Sequence, residues 1–399
     1  MLGAVRFDTG GRFPARGGWQ AGRVTAETAS PDATLPVLRI GGTPVSVVGR
    51  ARIYVCGVTP YDVTHLGHAA TFVWVDAAER VLRRLGVQAE VCRNVTDVDD
   101  VLFDAATKAG AHYDRFAAVQ QFHFDRDMDA LGVRRPGHEP RAHTFVPQVI
   151  DLAAALLANG SAYLANGSVY FRGAPVADRA GLFQNDAVEL LAQNGGRNDD
   201  PAKSDPLDQA VWQRSDPGEP AWPSPWGPGR PGWHAECTAM ALSTYGPSLD
   251  LHAGGADLRF PHHAFEAAQA ESATGVTPFA RSWMHVGTVR IGGEKMAKST
   301  GNLVFVSDLV ANASGPAVRM LLLDRRWDAA WDYTPVALTD AANRLDALHV
   351  AAGRATGTGT ATDVVLAALA DNLDIPRAID VAIESGGQPA RDLVQVLAL

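Results

Sequence analysis

The chain has 399 residues, of which 46% are hydrophobic, so it can bury a large core as one large or two medium domains. No apolar run reaches the roughly 18 residues that a membrane span requires, and the N-terminus lacks the pattern of a secretion signal. The net charge of −9 argues against a polyanionic partner, because such binding depends on Lys and Arg. We therefore expect a cytoplasmic monomer that acts on small molecules, with no nucleic-acid or membrane partner.

The cysteines limit the chemistry further. There are only three, Cys56, Cys92 and Cys237, and they are too few and too scattered for a disulfide framework. This usage is typical of a reducing compartment, where a functional cysteine binds a metal or catalyses. Cys92 lies on a predicted strand with no histidine nearby, and we expect it to belong to the core.

The first regular elements form a βαβ unit. We interpret residues 1–50 as a loosely structured lead-in with a strand or two. The run ARIYVCG predicts a strand, and the helix that follows has Thr64 as its expected cap and Gly86 as its expected end. The run QAEVCRNV predicts a second strand that stops near Asn94, and another helix begins around Asp99.

The rest of the chain divides into three parts. Residues 136–215 contain a helical stretch and the hairpin-like SAYLANGSVYFRG, and we interpret them as an insertion. The β/α pattern resumes in SLDLHAGGADLRFPHHAFEAAQAE and SWMHVGTVRIGG, and after residue 315 the apolar spacing is helical. We predict an α/β catalytic domain over 51–315 with an insertion at about 136–215, and a C-terminal α-helical bundle over 316–399.

The motif HLGH lies where the first strand turns into its helix. A helix N-terminus after a strand attracts phosphates, and His65 and His68 add two further donors. Gly67 between them removes a side chain and lets a nucleotide approach the backbone. Taken alone, the four-residue motif is weak and favours two ordinary histidines at a helix start.

The loop GEKMAKSTGN, residues 293–302, carries Lys295 and Lys298. Two lysines three residues apart can stabilise the charge that develops on a leaving pyrophosphate. The alternative is a solvated loop, which is the usual environment of lysine in glycine-rich segments.

A third group of residues consists of metal-ligand types. Cys56 ends the first strand, Cys237 lies in GWHAEC, and His262 lies in FPHH, with Glu266 four residues later on the same helical face. Two thiolates and one imidazole with an open fourth position form the pattern of a catalytic zinc site. Taken singly, each cysteine could also be a small buried hydrophobe.

In this order, YVCG, HLGH, NVTDVDD, GWHAEC, GADLRFPHH, SWMHVG and KMAKS resemble the catalytic domain of class I aminoacyl-tRNA synthetases, and specifically the cysteinyl-tRNA synthetases, over about residues 40–325. The resemblance implies a Rossmann-like fold, in which a parallel sheet is flanked by helices. It also implies ATP with Mg²⁺ as a substrate and one Zn²⁺ held by Cys56, Cys237 and His262, which would bind the thiolate of cysteine. The residues that it implies around a cysteinyl adenylate are Cys56, Gly57, Val58, Thr59, Thr71, Asn94, Val95, Thr96, Trp233, Gly255, Ala256, Asp257 and Val289.

Several details resemble a paralogous family more closely. Ala70 stands where the synthetases usually have Arg, the strand turn reads GVTP, and FVWVD, WPSPWGPGRPGWH and KSDPLDQAVW are similar to the cysteine:glucosaminyl-inositol ligases of mycothiol biosynthesis. Residues 361–399 contain Arg377 and Arg391 but no Lys, a poor surface for an RNA stem. The resemblance implies a ligase that forms cysteinyl-AMP and transfers cysteine to the amine of glucosaminyl-inositol. The alternatives are a truncated cysteinyl-tRNA synthetase, a paralogue that charges another acceptor, and a zinc-holding nucleotide-binding module without turnover.

Two departures from the ligase pattern concern single residues. Ala297 replaces the usual Ser of the KMAKS loop, and Glu266 occupies a position that supplies a fourth zinc ligand in the synthetases. The resemblance also makes residues 194–200, NGGRNDD, a candidate loop on the acceptor side. The sequence names no general base for the acceptor amine.

Overall fold

A computed structural model describes residues 35–61, 64–296, 301–355 and 359–399, and Pro36–Leu399 form one compact unit. The strands are β1 (Arg39–Ile40), β2 (Thr43–Pro44), β3 (Arg50–Val58), β4 (Gln88–Val95), β5 (Ala162–Ala165), β6 (Ser168–Phe171), β7 (Gln209–Arg214), β8 (Gly229–Pro231), β9 (Leu251–Gly255), β10 (Trp283–Val286), β11 (Val289–Ile291), β12 (Glu294–Lys295) and β13 (Trp331–Asp332). The helices are α1 (Leu66–Arg84), α2 (Asp100–Lys108), α3 (Tyr113–Ala130), α4 (Val146–Ala158), α5 (Ala174–Arg179), α6 (Gln184–Gln193), α7 (Trp233–Tyr245), α8 (Ala264–Thr274), α9 (Val306–Asn312), α10 (Gly315–Leu323), α11 (Pro335–Ala352), α12 (Gly359–Ala370), α13 (Ile375–Ser385) and α14 (Gln388–Leu397).

The central sheet has the order β10-β9-β3-β4, and all of its neighbouring strands are parallel. The predicted βαβ unit is confirmed, because α1 connects β3 to β4. The chain leaves β3 toward β4 on one side, whereas β9 pairs with its other side. In open α/β sheets, ligands bind at such a reversal, outside the carboxyl ends of the strands. The fold therefore predicts a ligand site at the carboxyl ends of β3, β4, β9 and β10.

A β-bulge interrupts the pairing at the end of β3. Val55 faces Arg93 and Val58 faces Val95, so Cys56 and Gly57 lie opposite a single residue of β4, Asn94. Only glycine fits at position 57, since a Cβ there would lie 1.7 Å from the backbone oxygen of Asn94. Bulges re-aim side chains beside active sites, and this one lies at the residue that carries the first thiol.

The cap of α1 differs from the sequence prediction. His65, and not Thr64, is the N-cap residue: its Nδ1 accepts hydrogen bonds from the backbone N–H groups of Gly67 at 3.1 Å and His68 at 3.4 Å. An imidazole can replace a hydroxyl here because its unprotonated nitrogen is an acceptor of the same kind. The helix ends as expected, with Gly86 at a φ of 81° just after its last turn.

The insertion is built on an antiparallel sheet of order β5-β6-β7-β8. Its first hairpin turns at Asn166 and Gly167, both with positive φ, which is the type of turn that this dipeptide favours. The sheet continues past residue 215 to β8, and α7 begins two residues after β8 ends. The division of the chain into domains at 51, 315 and about 136–215 remains a prediction.

The C-terminal helices share a core with the central sheet. Leu321, Ile375 and Leu393 belong to the same hydrophobic cluster as Val55 and Phe72, and α1 packs on both α10 and α14. In the part of the chain that the structure describes, no helix combines the length and apolarity of a membrane span.

Candidate functional site

Four side chains from three separated segments converge at the carboxyl edge of the central sheet. Cys56, Cys237, His262 and Glu266 each offer one ligand atom, and these four atoms all lie within 4.8 Å of one another. All four residues are buried. We call this group the metal cluster.

Each member of the metal cluster is placed by a different local structure. Cys56 lies in the bulge of β3, and Cys237 lies one turn into α7, which follows directly from the insertion sheet. His262 lies in a π-helical turn, Arg259–His263, that connects the end of β9 to α8. Glu266 is on the first turn of α8, so its carboxylate reaches the imidazole four residues before it.

Glu266 bridges the metal cluster to a further histidine. Its Oε1 lies 2.8 Å from Nε2 of His262 and 3.1 Å from Sγ of Cys56, while its Oε2 lies 2.9 Å from Nε2 of His252. One carboxylate oxygen thus contacts His262 and Cys56, and the other is held by His252. His252 can also join Cys56, His263 and Glu266 in a second grouping of mutually close ligand atoms.

The electrostatics of the metal cluster separate its two thiols. Burial raises the pKa of the Cys56 thiol well above its ordinary value. Burial also opposes ionisation of Cys237, but a hydrogen bond from Cys56 and the imidazole of His262 outweigh it and lower the pKa of Cys237. For His262, burial opposes the charged form, yet Glu266 and Cys237 raise its pKa to about 10. These interactions favour the thiolate form of Cys237 and the protonated form of His262. A metal ion would take the place of the proton on His262.

The donor set fits zinc. Two sulfurs, one imidazole nitrogen and one carboxylate oxygen are the ligand types that Zn²⁺ takes in proteins, and their atoms are close enough to share one ion. Cys92 is buried outside this group, and burial raises the pKa of its thiol to about 12, as expected for a core residue. None of the three cysteines forms a disulfide.

Two side chains that the sequence analysis did not assign contact the metal cluster. Nδ1 of His234 lies 2.8 Å from Nδ1 of His262, and His252 bonds Glu266 as described above. His234 is three residues before Cys237, a spacing that puts both on one face of α7, so helical spacing alone contained a signal for it. No comparable signal distinguished His252, whose partner lies on α8.

His65 and His68 lie together at the start of α1, with their rings stacked at a centroid distance of 3.7 Å. Nδ1 of His65 accepts backbone hydrogen bonds, so a proton on this ring belongs on Nε2, which makes that atom a donor. Burial lowers the pKa of His68 to about 4, against the opposing effect of Asp257. His68 is therefore neutral near pH 7, a form in which one ring nitrogen can donate a hydrogen bond without a positive charge.

One of the two predicted lysines lies in the described part of the chain. Nζ of Lys295 is 2.6 Å from Oδ2 of Asp257, which follows the carboxyl end of β9. This ion pair holds the pKa of Asp257 below its ordinary value even though burial opposes ionisation. Lys298 and Ala297 lie outside the described residues.

Most of the residues predicted around an adenylate fall at or just beyond the carboxyl ends of β3, β4 and β9, whereas Thr71 lies on α1, Trp233 begins α7 and Val289 begins β11. Hydrogen bonds and a ring contact connect members of the set to one another or to the metal cluster. They include Gly57 N to Asn94 Oδ1 at 2.8 Å, Thr59 Oγ1 to Thr96 Oγ1 at 2.7 Å, Thr96 Oγ1 to the backbone oxygen of Val58 at 3.4 Å, Asn94 Nδ2 to Cys237 Sγ at 3.1 Å, and the rings of Trp233 and His262 at 4.3 Å. Val58 and Val95 end their strands, Gly255 and Ala256 end β9 and begin the turn after it, and Thr71 and Val289 are buried.

The candidate loop 194–200 contacts the segment that follows β4. Nη2 of Arg197 lies 2.8 Å from Oδ2 of Asp100, the first residue of α2, and the hydroxyl of Tyr170 donates to Asp200 at 2.6 Å. Arg230, which is buried, also bonds Asp100. The loop is thus attached both to its own sheet and to the edge of the central sheet.

Solved structures with similar folds are class I synthetases. Methionyl-tRNA synthetase from Mycobacterium tuberculosis, in complex with methionyl-adenylate, has a TM-score of 0.59 at 17% identity, covering 88% of this chain and 82% of that one. The ternary complex of the Agrobacterium radiobacter K84 agnB2 LeuRS has a TM-score of 0.58 at 12% identity, over 89% and 84%. At these identities the likeness establishes the fold, and the predicted class I synthetase architecture is confirmed.

Comparisons of sequence are more specific. The family model described as the catalytic domain of class I (C) tRNA synthetases matches residues 44–343. L-cysteine:1D-myo-inositol 2-amino-2-deoxy-alpha-D-glucopyranoside ligases from Acidothermus cellulolyticus and Rhodococcus jostii are 44% and 41% identical, covering 86% and 92% of this chain and the same shares of the relatives. The corresponding ligase from Frankia casuarinae is 41% identical over 90% of this chain and 80% of its own length. The chain therefore belongs to the L-cysteine:1D-myo-inositol 2-amino-2-deoxy-alpha-D-glucopyranoside ligase family, which has the catalytic domain of a class I tRNA synthetase.

Proposed function

We propose that this chain is an ATP-dependent ligase that activates L-cysteine as cysteinyl-AMP and transfers it to the amine of glucosaminyl-inositol, in mycothiol biosynthesis. The observation that carries the proposal is the convergence of Cys56, Cys237 and His262 at the carboxyl edge of the central sheet. A zinc ion held by these residues would supply a soft site for the sulfur of cysteine, which a serine hydroxyl fills poorly. Membership of the ligase family supports the same substrate pair.

In the first step, a carboxylate oxygen of cysteine attacks the α-phosphorus of ATP, and the bond to the β-phosphate breaks, releasing pyrophosphate. We assign His65 and His68 to the phosphates, because both stand at the start of α1, where phosphates bind, and each neutral ring has one N–H donor. Lys295 and Lys298 are assigned to the leaving pyrophosphate, whose negative charge grows as the bond breaks. Mg²⁺ accompanies ATP.

Asp257 is assigned to the α-ammonium of cysteine. Its carboxylate follows the carboxyl end of β9 and is already paired with a primary ammonium, that of Lys295, at 2.6 Å. A cysteine bound through its sulfur to the metal cluster would offer the same kind of cation. Trp233, whose ring packs on His262 at 4.3 Å, is assigned to the side of the cysteine site next to the metal ligands.

In the second step, the amine nitrogen of the acceptor attacks the carbonyl carbon of the adenylate. The amide C–N bond forms, the C–O bond to AMP breaks, and the amine loses one proton. The loop 194–200 is assigned to the acceptor side because it contacts the first residue of α2, just beyond the carboxyl end of β4.

The test combines two acceptors in parallel. Purified protein with ATP and cysteine is incubated with glucosaminyl-inositol or with total tRNA, and mass spectrometry follows the small molecules while acid precipitation follows labelled cysteine on tRNA. We expect the cysteinyl amide, AMP and pyrophosphate with the aminosugar and no charged tRNA. Charged tRNA without amide would instead identify a truncated cysteinyl-tRNA synthetase, and no consumption of ATP with either acceptor would identify a binding module.

A further inference from the structure

Both polar atoms of the Asn94 side chain have a hydrogen-bond partner within the protein. Asn94 is buried, and it lies opposite the bulge of β3. Its Oδ1 accepts a hydrogen bond from the backbone N–H of Gly57 at 2.8 Å, and its Nδ2 lies 3.1 Å from Sγ of Cys237. One amide thus connects the residue next to the first thiol with the sulfur of the second.

The orientation of this amide follows from its partners. The backbone N–H of Gly57 can only donate, so the oxygen of Asn94 must face it, and the NH₂ group must face the sulfur. A sulfur that receives an N–H hydrogen bond is in its acceptor role, which is strongest for a thiolate. The thiolate is also the form that binds a metal ion.

The bulge explains why a side chain performs this task. Two residues of β3 face one residue of β4, so the N–H of Gly57 has no backbone acceptor in the regular ladder. The amide oxygen of Asn94 accepts the hydrogen bond from that N–H, and its NH₂ group reaches Cys237 on α7. The geometry depends on Gly57, because a Cβ at that position would collide with the backbone of Asn94.

We propose that Asn94 is a positioning residue for the metal cluster: it holds Cys237 in the ligating geometry and moderates its thiolate through an N–H···S hydrogen bond. Partners of this kind around a metal site typically change metal affinity by about 10- to 100-fold when removed. The inference rests on the proposed zinc site and adds to it a residue that does not touch the ion.

Two variants separate the two bonds of Asn94. Asn94→Asp keeps an oxygen for the N–H of Gly57, removes the donor to sulfur and puts a negative charge beside it, whereas Asn94→Ala removes both bonds. Asn312→Asp is the matched control, because the exposed amide of Asn312 donates to the backbone oxygen of Asp308 at 2.7 Å on α9. The free enzyme is titrated with Zn²⁺ against a chelator, and the Co²⁺-substituted protein is examined by absorption spectroscopy.

We expect Asn94→Ala, which loses both bonds, to bind Zn²⁺ about 10- to 100-fold more weakly. In Asn94→Asp the loss should be smaller, because the added negative charge favours the cation and partly offsets the lost positioning of Cys237. The sulfur-to-metal charge-transfer band of the Co²⁺ forms of both variants should move to lower energy, since a thiolate without the hydrogen bond donates more strongly. Asn312→Asp should match the unmodified protein in both measurements. A loss of packing alone would lower thermal stability and leave the Co²⁺ band in place.

Three outcomes bear on the inference. Unchanged zinc affinity and an unchanged Co²⁺ spectrum in both Asn94 variants would overturn it. An Asn94→Asp protein that behaves like the unmodified one, beside an affected Asn94→Ala protein, would also overturn it, because the residue would then act through Gly57. If the unmodified protein itself binds no zinc, the proposed metal site fails, and that failure is visible before any variant is made.

Discussion

At the scale of single residues, the two ring nitrogens of His262 are both in use. Nδ1 faces Nδ1 of His234 and Nε2 faces Oε1 of Glu266, each at 2.8 Å. Two unprotonated nitrogens cannot bond each other, so one member of the histidine pair must donate. If Nε2 of His262 binds the metal, its Nδ1 carries the proton and His234 accepts, which fixes both the tautomer and the ring plane.

The metal ligands can be tested by substituting them one at a time. Cys237→Ser should lose zinc because a hydroxyl is a poor substitute for a thiolate, and His262→Ala should lose it too, while the unmodified protein carries about one zinc per chain. Cys92→Ser is the control: that buried cysteine lies on the neighbouring strand β4, outside the metal cluster, and should keep full zinc. Elemental analysis of the purified proteins measures this. Full occupancy in the Cys237 and His262 variants would refute the ligand assignment.

At the scale of elements, the loop over residues 293–302 is predicted to act on the phosphates, and its lysines can be tested separately from the metal. Lys298→Ala should leave zinc content and fold intact and slow cysteine-dependent ATP/pyrophosphate exchange by about 10² or more, because the charge acts mainly in the transition state. Lys108→Ala, at the last turn of α2, removes the same charge elsewhere and should exchange normally. Unchanged exchange in Lys298→Ala would mean that the loop is an ordinary solvated segment.

Elements were predictable from the sequence where a periodic pattern defines them. The strand at 51–57, the helix after it and the turn at Asn166 and Gly167 follow from local preferences, and the structure contains all three. The cap of α1 was not predictable in this way. Thr64 is the better capping residue by preference, yet His65 occupies the position, because its own extended backbone lets its ring accept from the N–H groups of Gly67 and His68.

The candidate site likewise contains residues that the sequence could identify and contacts that it could not. Cys56, Cys237 and His262 could be selected as metal-ligand types, and the resemblance grouped them before their distance was known. The contact between His234 and His262 and the bond from Asn94 to Cys237 join separate elements. Such contacts depend on the register of the bulge and the packing of α7 against the sheet, and no local pattern encodes these.

At the scale of the whole molecule, a buried ion pair joins the C-terminal helices to α1, the helix that connects β3 to β4. Arg319 on α10 is fully buried and bonds the carboxylate of Asp76 on α1. Its guanidinium also donates to the backbone oxygen of Leu131 at 3.2 Å and to that of Leu397 at the end of α14. One side chain thus fixes α1, α10 and α14 to one another within a common hydrophobic core.

Arg319→Met should therefore destabilise the whole molecule. It removes the fully buried one of the two arginines that pair with Asp76 and leaves Arg80, at 2.7 Å, as the remaining partner. Breaking a buried pair costs about 3–5 kcal/mol of the free energy of unfolding, and we expect a loss at the low end of that range because Arg80 still compensates the carboxylate. Arg326→Met is the control, since Arg326 pairs with Asp328 on the surface, where an ion pair contributes about 0–1 kcal/mol. Urea denaturation followed by circular dichroism and tryptophan fluorescence measures both. Because the core is shared, the helical signal and the fluorescence of buried Trp74 on α1 should be lost at one midpoint. An Arg319→Met protein whose C-terminal helices unfold in a separate, earlier transition would show instead that the helices beyond residue 315 form an independent domain.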